Sequence, residues 1–242
     1  MSTSHHQIQV SGFPVEIVRK DIKNLHVGVY PPAGRVRVAA PLRFSDDAVR
    51  LAIVSRLGWI RRQQAGFQAQ ERQSQREMVT GESHFVQGRR YRLRVIELPG
   101  AGSVQLRNNK ILELAVDPAT TRARREVLLN QWYRLRMRCQ VEELIPQWEP
   151  VVGVALASWG IKRMKTRWGT CNAAARRIWL NSELAKKSIS CLEFILVHEM
   201  VHLLERQHNN RFRGAMDRVM PNWRRYREEL NRAPLAHENW KY

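Results

Sequence analysis

Cysteine is scarce in this chain of 242 residues. Cys139, Cys171 and Cys191 are odd in number and none is spaced CxxC, which argues against a disulfide framework. No stretch approaches the roughly twenty apolar residues of a membrane span, and the apolar run at 151–157 is far too short. The first ten residues lack the charged start and apolar run of a secretory signal, so the expected compartment is the cytoplasm. Acidic residues are also few, 22 against 41 Lys and Arg, for a formal net charge of +19. Residues 1–150 carry 24 basic and 14 acidic side chains, and residues 151–242 carry 17 and 8, so the excess is no detachable tail. Such a charge favours a polyanion nearby, most simply nucleic acid bound without sequence preference through counterion release. An ordinary Arg-rich surface explains it equally well, and no helix-turn-helix, zinc-finger or RNA-recognition signature accompanies it.

What is present is a 43% hydrophobic content, enough for a sizeable core, and one stretch dense in chemistry. His198-Glu199-Met200-Val201-His202 lies in an apolar run that reads as a helix buried nearly all round. Positions four apart share a helical face, so His198 and His202 can direct two imidazoles at one ion. Glu199 points about a quarter-turn aside, which suits a general base acting on water better than a third ligand. Ser190 and Glu193 are spaced as a capping box, with Ile189 and Phe194 placed for a hydrophobic staple. Polar groups are costly in a buried helix, and a zinc ion supplies the reason for them.

A catalytic zinc takes three protein ligands. His208 is the best third candidate, because 206–210 reads as a break that can fold it back, with Asn209 or Asn210 capping a helix over 211–219. Glu205 is the rival, seven residues after His198 on nearly the same face but a turn beyond the pair, where it reads as a support or a solvated helix-end charge.

Lys162-Arg-Met-Lys-Thr-Arg-Trp-Gly-Thr-Cys171, Ile178-Trp-Leu-Asn181, His198-Glu-Met-Val-His202 and Asn209-Asn-Arg-Phe212 together resemble the YgjP-like metallopeptidases, relatives of the SprT-like group. The resemblance runs strongly over 161–230 and more loosely over 17–59. It implies a zincin-like fold, one Zn2+ per chain, His208 as third ligand, and a sheet edge that holds a polypeptide substrate as an added strand, with Arg167 and Trp168 nearest to it. Thr170 stands where the family usually has Ser, and Arg213 where it has an aromatic; both departures bear on substrate preference more than on metal.

The remaining chain divides by periodicity. Short alternating runs at 8–10, 15–18, 25–29 and 36–38, with turn signals between several of them, predict a small antiparallel sheet. His5 and His6 have no further ligand in range and read as a disordered end or tag. Ser45 caps a predicted helix from Asp46 through Ile60 towards Glu77, its second half a basic, Gln-rich arm. Residues 85–97, with Arg89, Arg90, Arg92 and Arg94, then 104–106 and 111–116 predict a second antiparallel set, the Arg row being either an anion-binding face or protection for an edge strand. A long helix is expected from Asp117 to about Trp148, with Val127, Leu128, Trp132, Leu135, Cys139, Glu142 and Ile145 on one face. Strands are expected at 154–158, 162–166 and 176–180, with Trp168-Gly169 at a turn, and a last helix opens at Pro221 with Trp223, Tyr226 and Leu230 inward.

The whole reads as α+β: a mostly β N-terminal region, 1–116, with one helix, then a compact metallopeptidase domain, 117–242, whose HExxH helix packs on a small sheet. The expected reaction is peptide-bond hydrolysis with Glu199 as base and zinc on His198, His202 and His208. The alternative is a basic nucleic-acid-binding module with a structural zinc.

Overall fold

Alternation of apolar and polar residues builds two sheets of the same design. The computed structural model describes residues 4–30, 34–69, 76–164 and 167–232. Within the first compact unit, Met1–Gln73, strands β1 (Ser4–Val10), β2 (Phe13–Lys20), β3 (His26–Tyr30) and β4 (Arg35–Pro41) lie in the order β1-β2-β4-β3. Val15, Ile17, Val36 and Val38 turn inward at every second position and meet Val49 and Ile53 of α1 (Asp46–Val54) and Ile60 of α2 (Leu57–Ala69). Ser45 does cap α1, accepting from the Ala48 amide at 3.2 Å. The single long helix expected here breaks at Ser55 and Arg56 into two, and residues 70–75 of the basic arm lie outside the described residues. His5 and His6 are not a disordered end: both sit in β1, with His6 3.0 Å from the Asp46 carboxylate.

The second unit, Ser74–Ala233, begins with β5 (Ser83–Val86), β6 (Arg89–Glu97), β7 (Gly102–Arg107) and β8 (Ile111–Val116), ordered β5-β6-β8-β7. In both sheets the two central strands are parallel and the outer pairs antiparallel, so neither is the purely antiparallel sheet that alternation suggested. The correspondence is closest at the first hairpin, where Ile8 opposes Val15 and His84 opposes Tyr91, whereas the parallel pairs are in different register, Ile17 with Val38 but Leu93 with Leu112. Gly12 and Gly88 follow Ser11 and Gln87 in the two-residue turns of the first hairpins, all four with positive φ, and lie 76 residues apart, as do the helix caps Ser45 and Thr121. Buried positions repeat at the same offset, Val15 with Tyr91, Ile17 with Leu93, Val36 with Leu112 and Ile53 with Leu129, although few residues are identical.

Helix α3 (Arg122–Val152) follows β8 and buries Leu129, Tyr133, Met137, Val141 and Leu144. The stripe expected is met in part: Leu128, Trp132 and Ile145 pack against the core, but Val127, Leu135 and Cys139 are exposed, and the buried centre of the face is the neighbouring row that carries Tyr133 and Met137. A small sheet of β9 (Ser158–Lys162), β10 (Gly169–Asn172) and β11 (Arg177–Asn181), ordered β10-β11-β9, comes next. Then follow a 3-10 turn (Ser182–Lys186), α4 (Ile189–Val201), α5 (Asn210–Val219) and α6 (Trp223–Arg232). Gly169 opens a strand instead of a turn, and Lys165 and Thr166 of the strand expected at 162–166 lie outside the described residues.

The division expected between 116 and 117 falls inside this unit, because β5 to β8, α3 and α4 share one core. The β5–β6 turn makes the link. Gln87 and Gly88 amides donate to the Ala185 and Lys186 carbonyls at 3.1 Å each, and a Cβ on Gly88 would stand 3.2 Å from the Ser188 backbone. Gly88 has φ +77°, a conformation that also favours glycine. Strand β6 is internal, so its exposed Arg90, Arg92 and Arg94 do not protect an edge.

Candidate metal centre

Ser188 caps α4, accepting from the Cys191 amide at 3.3 Å, two residues before the capping box read from sequence. Glu193 instead accepts from the Trp148 indole at 2.9 Å, and Ile189 is 42% exposed, so the staple does not form either. The helix is buried nearly all round, as its composition predicts, and packs on β10 and β11. It ends at Val201, with His202 as its last, half-helical residue.

Beyond that end the chain turns back through 203–208, and Asn209 starts α5 by accepting from the Phe212 amide at 3.0 Å. His208 is thereby brought to the α4 pair: its Nε2 lies 3.1 Å from that of His202 and 3.0 Å from that of His198. Among the described residues these three are the one cluster of His, Cys, Asp or Glu suited to a metal. Glu205 is not in it; its carboxylate accepts from the Gln207 amide at 3.2 Å, while its carbonyl lies 3.0 Å from His202 Nδ1. That carbonyl requires the His202 proton to sit on Nδ1, which leaves the Nε2 lone pair facing the other two rings.

Buried Phe212, 2% exposed, forms the floor under all three imidazoles, with ring centroids 4.9, 4.7 and 4.8 Å from those of His198, His202 and His208. Phe194 meets the His198 ring edge-on at 5.8 Å. Among the described residues His198 Nδ1 is buried without a hydrogen-bond partner, so on that side packing orients the ring.

Three nitrogens this close repel unless something positive sits between them. Zinc with Zn–N bonds of about 2.0–2.1 Å would place its ligand nitrogens roughly 3.3 Å apart, close to the spacing seen here. Burial, then the charges of His202 and His208, push His198 down to about 3, so it is a neutral donor at neutral pH. His208 is lowered for the same first reason. Glu199, 6% exposed beside them, is pushed up to about 8 by burial, opposed only by the Arg167 guanidinium. A cation among the histidines would offset both penalties, and the donor set fits zinc.

An open cleft of about 820 Å³ exposes this cluster, lined by His198, Glu199, His202 and His208 on one side and 167–173 on the other. Arg167 and Trp168 both line it, where their loop is tied down by Asn181. Asn181 is 5% exposed; its Nδ2 donates to the carbonyls of Met164 and Arg167 at 2.8 Å, and its amide donates to the Trp168 carbonyl at 2.8 Å. Lys187 stacks over the Trp168 ring at 5.6 Å.

Two features of the site have no periodic signature. Gly169 brings β10 against the base, since a Cβ there would stand 2.5 Å from Glu199 Oε1 and 2.6 Å from its Cγ. Cys171 also lines the cleft, its thiol pushed up to about 11 by burial and then by the Glu199 charge. Phe212 stood in a recognisable motif, but its place beneath the ligands follows only from the α4–α5 turn. No helix among the described residues is long and apolar enough to cross a membrane. No curated protein matches the chain. The family described as YgjP-like, metallopeptidase domain, matches it over residues 24–233.

Proposed function

Since the chain belongs to the YgjP-like metallopeptidase family, we propose that it hydrolyses peptide bonds with one zinc ion held by His198, His202 and His208 and with Glu199 as general base. The observation that carries this reading is the convergence of three imidazole nitrogens beside a buried carboxylate at the foot of an open cleft. Zinc bound there supplies Lewis acidity, polarising the scissile carbonyl and acidifying water. Glu199 takes the proton of the attacking water and passes it to the leaving amine. Among the described residues strand β10 has one edge paired with β11 and the other unpaired, which supports substrate binding as an added strand read through its backbone. Arg167 and Trp168, at the entry to that strand, contact the substrate. Phe212 and Asn181 hold the ligands and the Arg167–Trp168 loop in place, and the HExxH helix on the small sheet is read as zincin-like.

The alternative is a nucleic-acid-binding module with a structural zinc. The +19 charge and the exposed Arg90, Arg92 and Arg94 favour contact with nucleic acid. A structural zinc, however, is closed by four ligands and has no use for a buried carboxylate beside an open cleft. The charge is therefore read as placing the enzyme near nucleic acid, in the cytoplasm, without replacing its chemistry.

Glu199→Gln separates the two readings because the amide keeps the shape but accepts no proton. The variant is expected to fold, to keep its zinc and to lose at least about a hundredfold in cleavage of flexible polypeptides. Zinc content, thermal melting and cleavage of a panel of disordered proteins are measured side by side with the wild type. Unchanged cleavage removes Glu199 from the mechanism, and loss of zinc or of fold makes its role structural.

A further inference from the structure

The cleft is cationic beyond what its chemistry requires. Glu199 is the only acid among its lining residues, and it is buried and engaged at the metal cluster. Arg167, just before β10, and Arg206, in the turn after α4, both line the cleft and are exposed. From Arg206 to Arg227 the chain carries seven arginines against one acid, Asp217. That acid is taken up by Arg224, at 2.5 and 3.1 Å, and by the Trp223 indole at 2.7 Å. Arg206, Arg213 and Arg227 have no ion pair among the described residues; Arg213 reaches only the Asn210 side chain at 3.5 Å, and Arg227 lies over Trp223. Arg213 directly follows Phe212, the floor of the cluster, and Arg227 lies over Trp223, which stacks on Phe194 at 6.2 Å beside His198. Glu205, the nearest other acid, has its carboxylate bound within its own turn and lies near Arg211.

Like charges gathered round a concave site raise the local potential, which is focused by low-dielectric walls and falls only when anions enter. Guanidinium groups match carboxylates with paired donors. Because Arg167 and Arg206 are in the cleft wall itself, the anion they meet is one carried on the chain that fills the cleft. Resting on the peptidase reading above, we propose that the substrate of this site is acidic polypeptide, with Asp or Glu side chains flanking the scissile bond held by Arg167 and Arg206 and drawn in by the further positive charge of Arg213 and Arg227.

Binding and cleavage test this separately. One flexible peptide sequence is made in acidic, neutral and basic versions of equal length, and fluorescence anisotropy follows each on zinc-loaded Glu199→Gln protein at low and high salt. The acidic version is expected to bind about tenfold tighter than the neutral one and the basic version weaker still, the gaps closing as salt screens the charges. Reversal of charge in Arg206→Glu/Arg213→Glu removes or inverts that order; should this variant melt early, Arg206→Gln is expected to narrow it. Equal binding of the three peptides overturns the inference whatever the wild type cleaves. Equal cleavage of all three by the wild type overturns it too and leaves the peptidase reading standing. Ordered binding with no cleavage upholds the acidic preference and sinks the peptidase reading instead. A single-stranded oligonucleotide that displaces the acidic peptide at much lower concentration than the peptide itself assigns the rim to nucleic acid and overturns the proposal.

Discussion

At Gly169 a missing side chain does the positioning. The β10 backbone approaches the Glu199 carboxylate so closely that a methyl group would overlap its Oε1, Cδ and Cγ atoms. Helix α4 is packed on all sides, so the carboxylate, not the helix, has to move. Gly169→Ala is therefore expected to lower kcat by at least about tenfold, as a displacement of about 1 Å at a reacting group does, while zinc affinity changes little because no ligand touches that position. Steady-state kinetics and a chelator competition on the same preparation check it, and a parallel loss of zinc would show that the strain spreads to the histidines. Residues of this kind are hard to read in a sequence. His198, Glu199 and His202 declare themselves by helical spacing, and His208 by the break that follows. Gly169 and Phe212 act through contacts between segments separated by a strand or a turn, and no local period records such a contact.

Among the elements, strand positions were legible and strand directions were not. Alternation locates each inward side chain, whereas the parallel pairing of β2 with β4 and of β6 with β8 depends on which strands meet after the chain has crossed over. The same limit governs α3, where Leu128, Trp132 and Ile145 lie at the margin of the packed face and Tyr133 and Met137 at its centre, a difference that helical spacing alone does not set. His84 interrupts the alternation of β5 with a polar group that is 6% exposed and stands opposite Tyr91. Burial, then the charge of Arg76, lowers it to about 4, against a partial counter-effect from Glu82. Its folded pKa is thus below the unfolded value of about 6.5, so the unfolded chain binds the proton first. Stability is unaffected above about pH 6.5 and falls as the pH drops towards 4, by up to about 3 kcal/mol at about 1.36 kcal/mol per unit. His84→Ile, which installs the residue found 76 positions earlier at Ile8, should remove most of that loss. Denaturant unfolding of both proteins at pH 7 and at pH 4.5 measures it, and equal losses would assign the acid sensitivity elsewhere.

For the molecule as a whole, the two units have separate cores, one of 8–60 and one of 78–230, so their stabilities are separable. The fragment 1–73 alone is expected to unfold cooperatively on heating, and the fragment 74–242 to keep its zinc; circular dichroism melts and metal analysis decide this, and a fragment without a melting transition would mean that the units fold only together. Composition gave the class of this protein but not its boundary, because a strand-rich region was taken for one domain where strands serve two. The recurrence of one sheet order, one hairpin turn and one helix cap at a constant offset has a historical reading. Tandem copying of one module, followed by divergence under unequal constraint, would leave such a pattern. The later sheet is bound through its Gly88 turn to the cap of the α4 helix and cannot drift without disturbing the start of that helix. At the matching Gly12 no atom lies within 4 Å of where a Cβ would stand, so the earlier copy was released from that duty and its hairpin tip is open to selection for another.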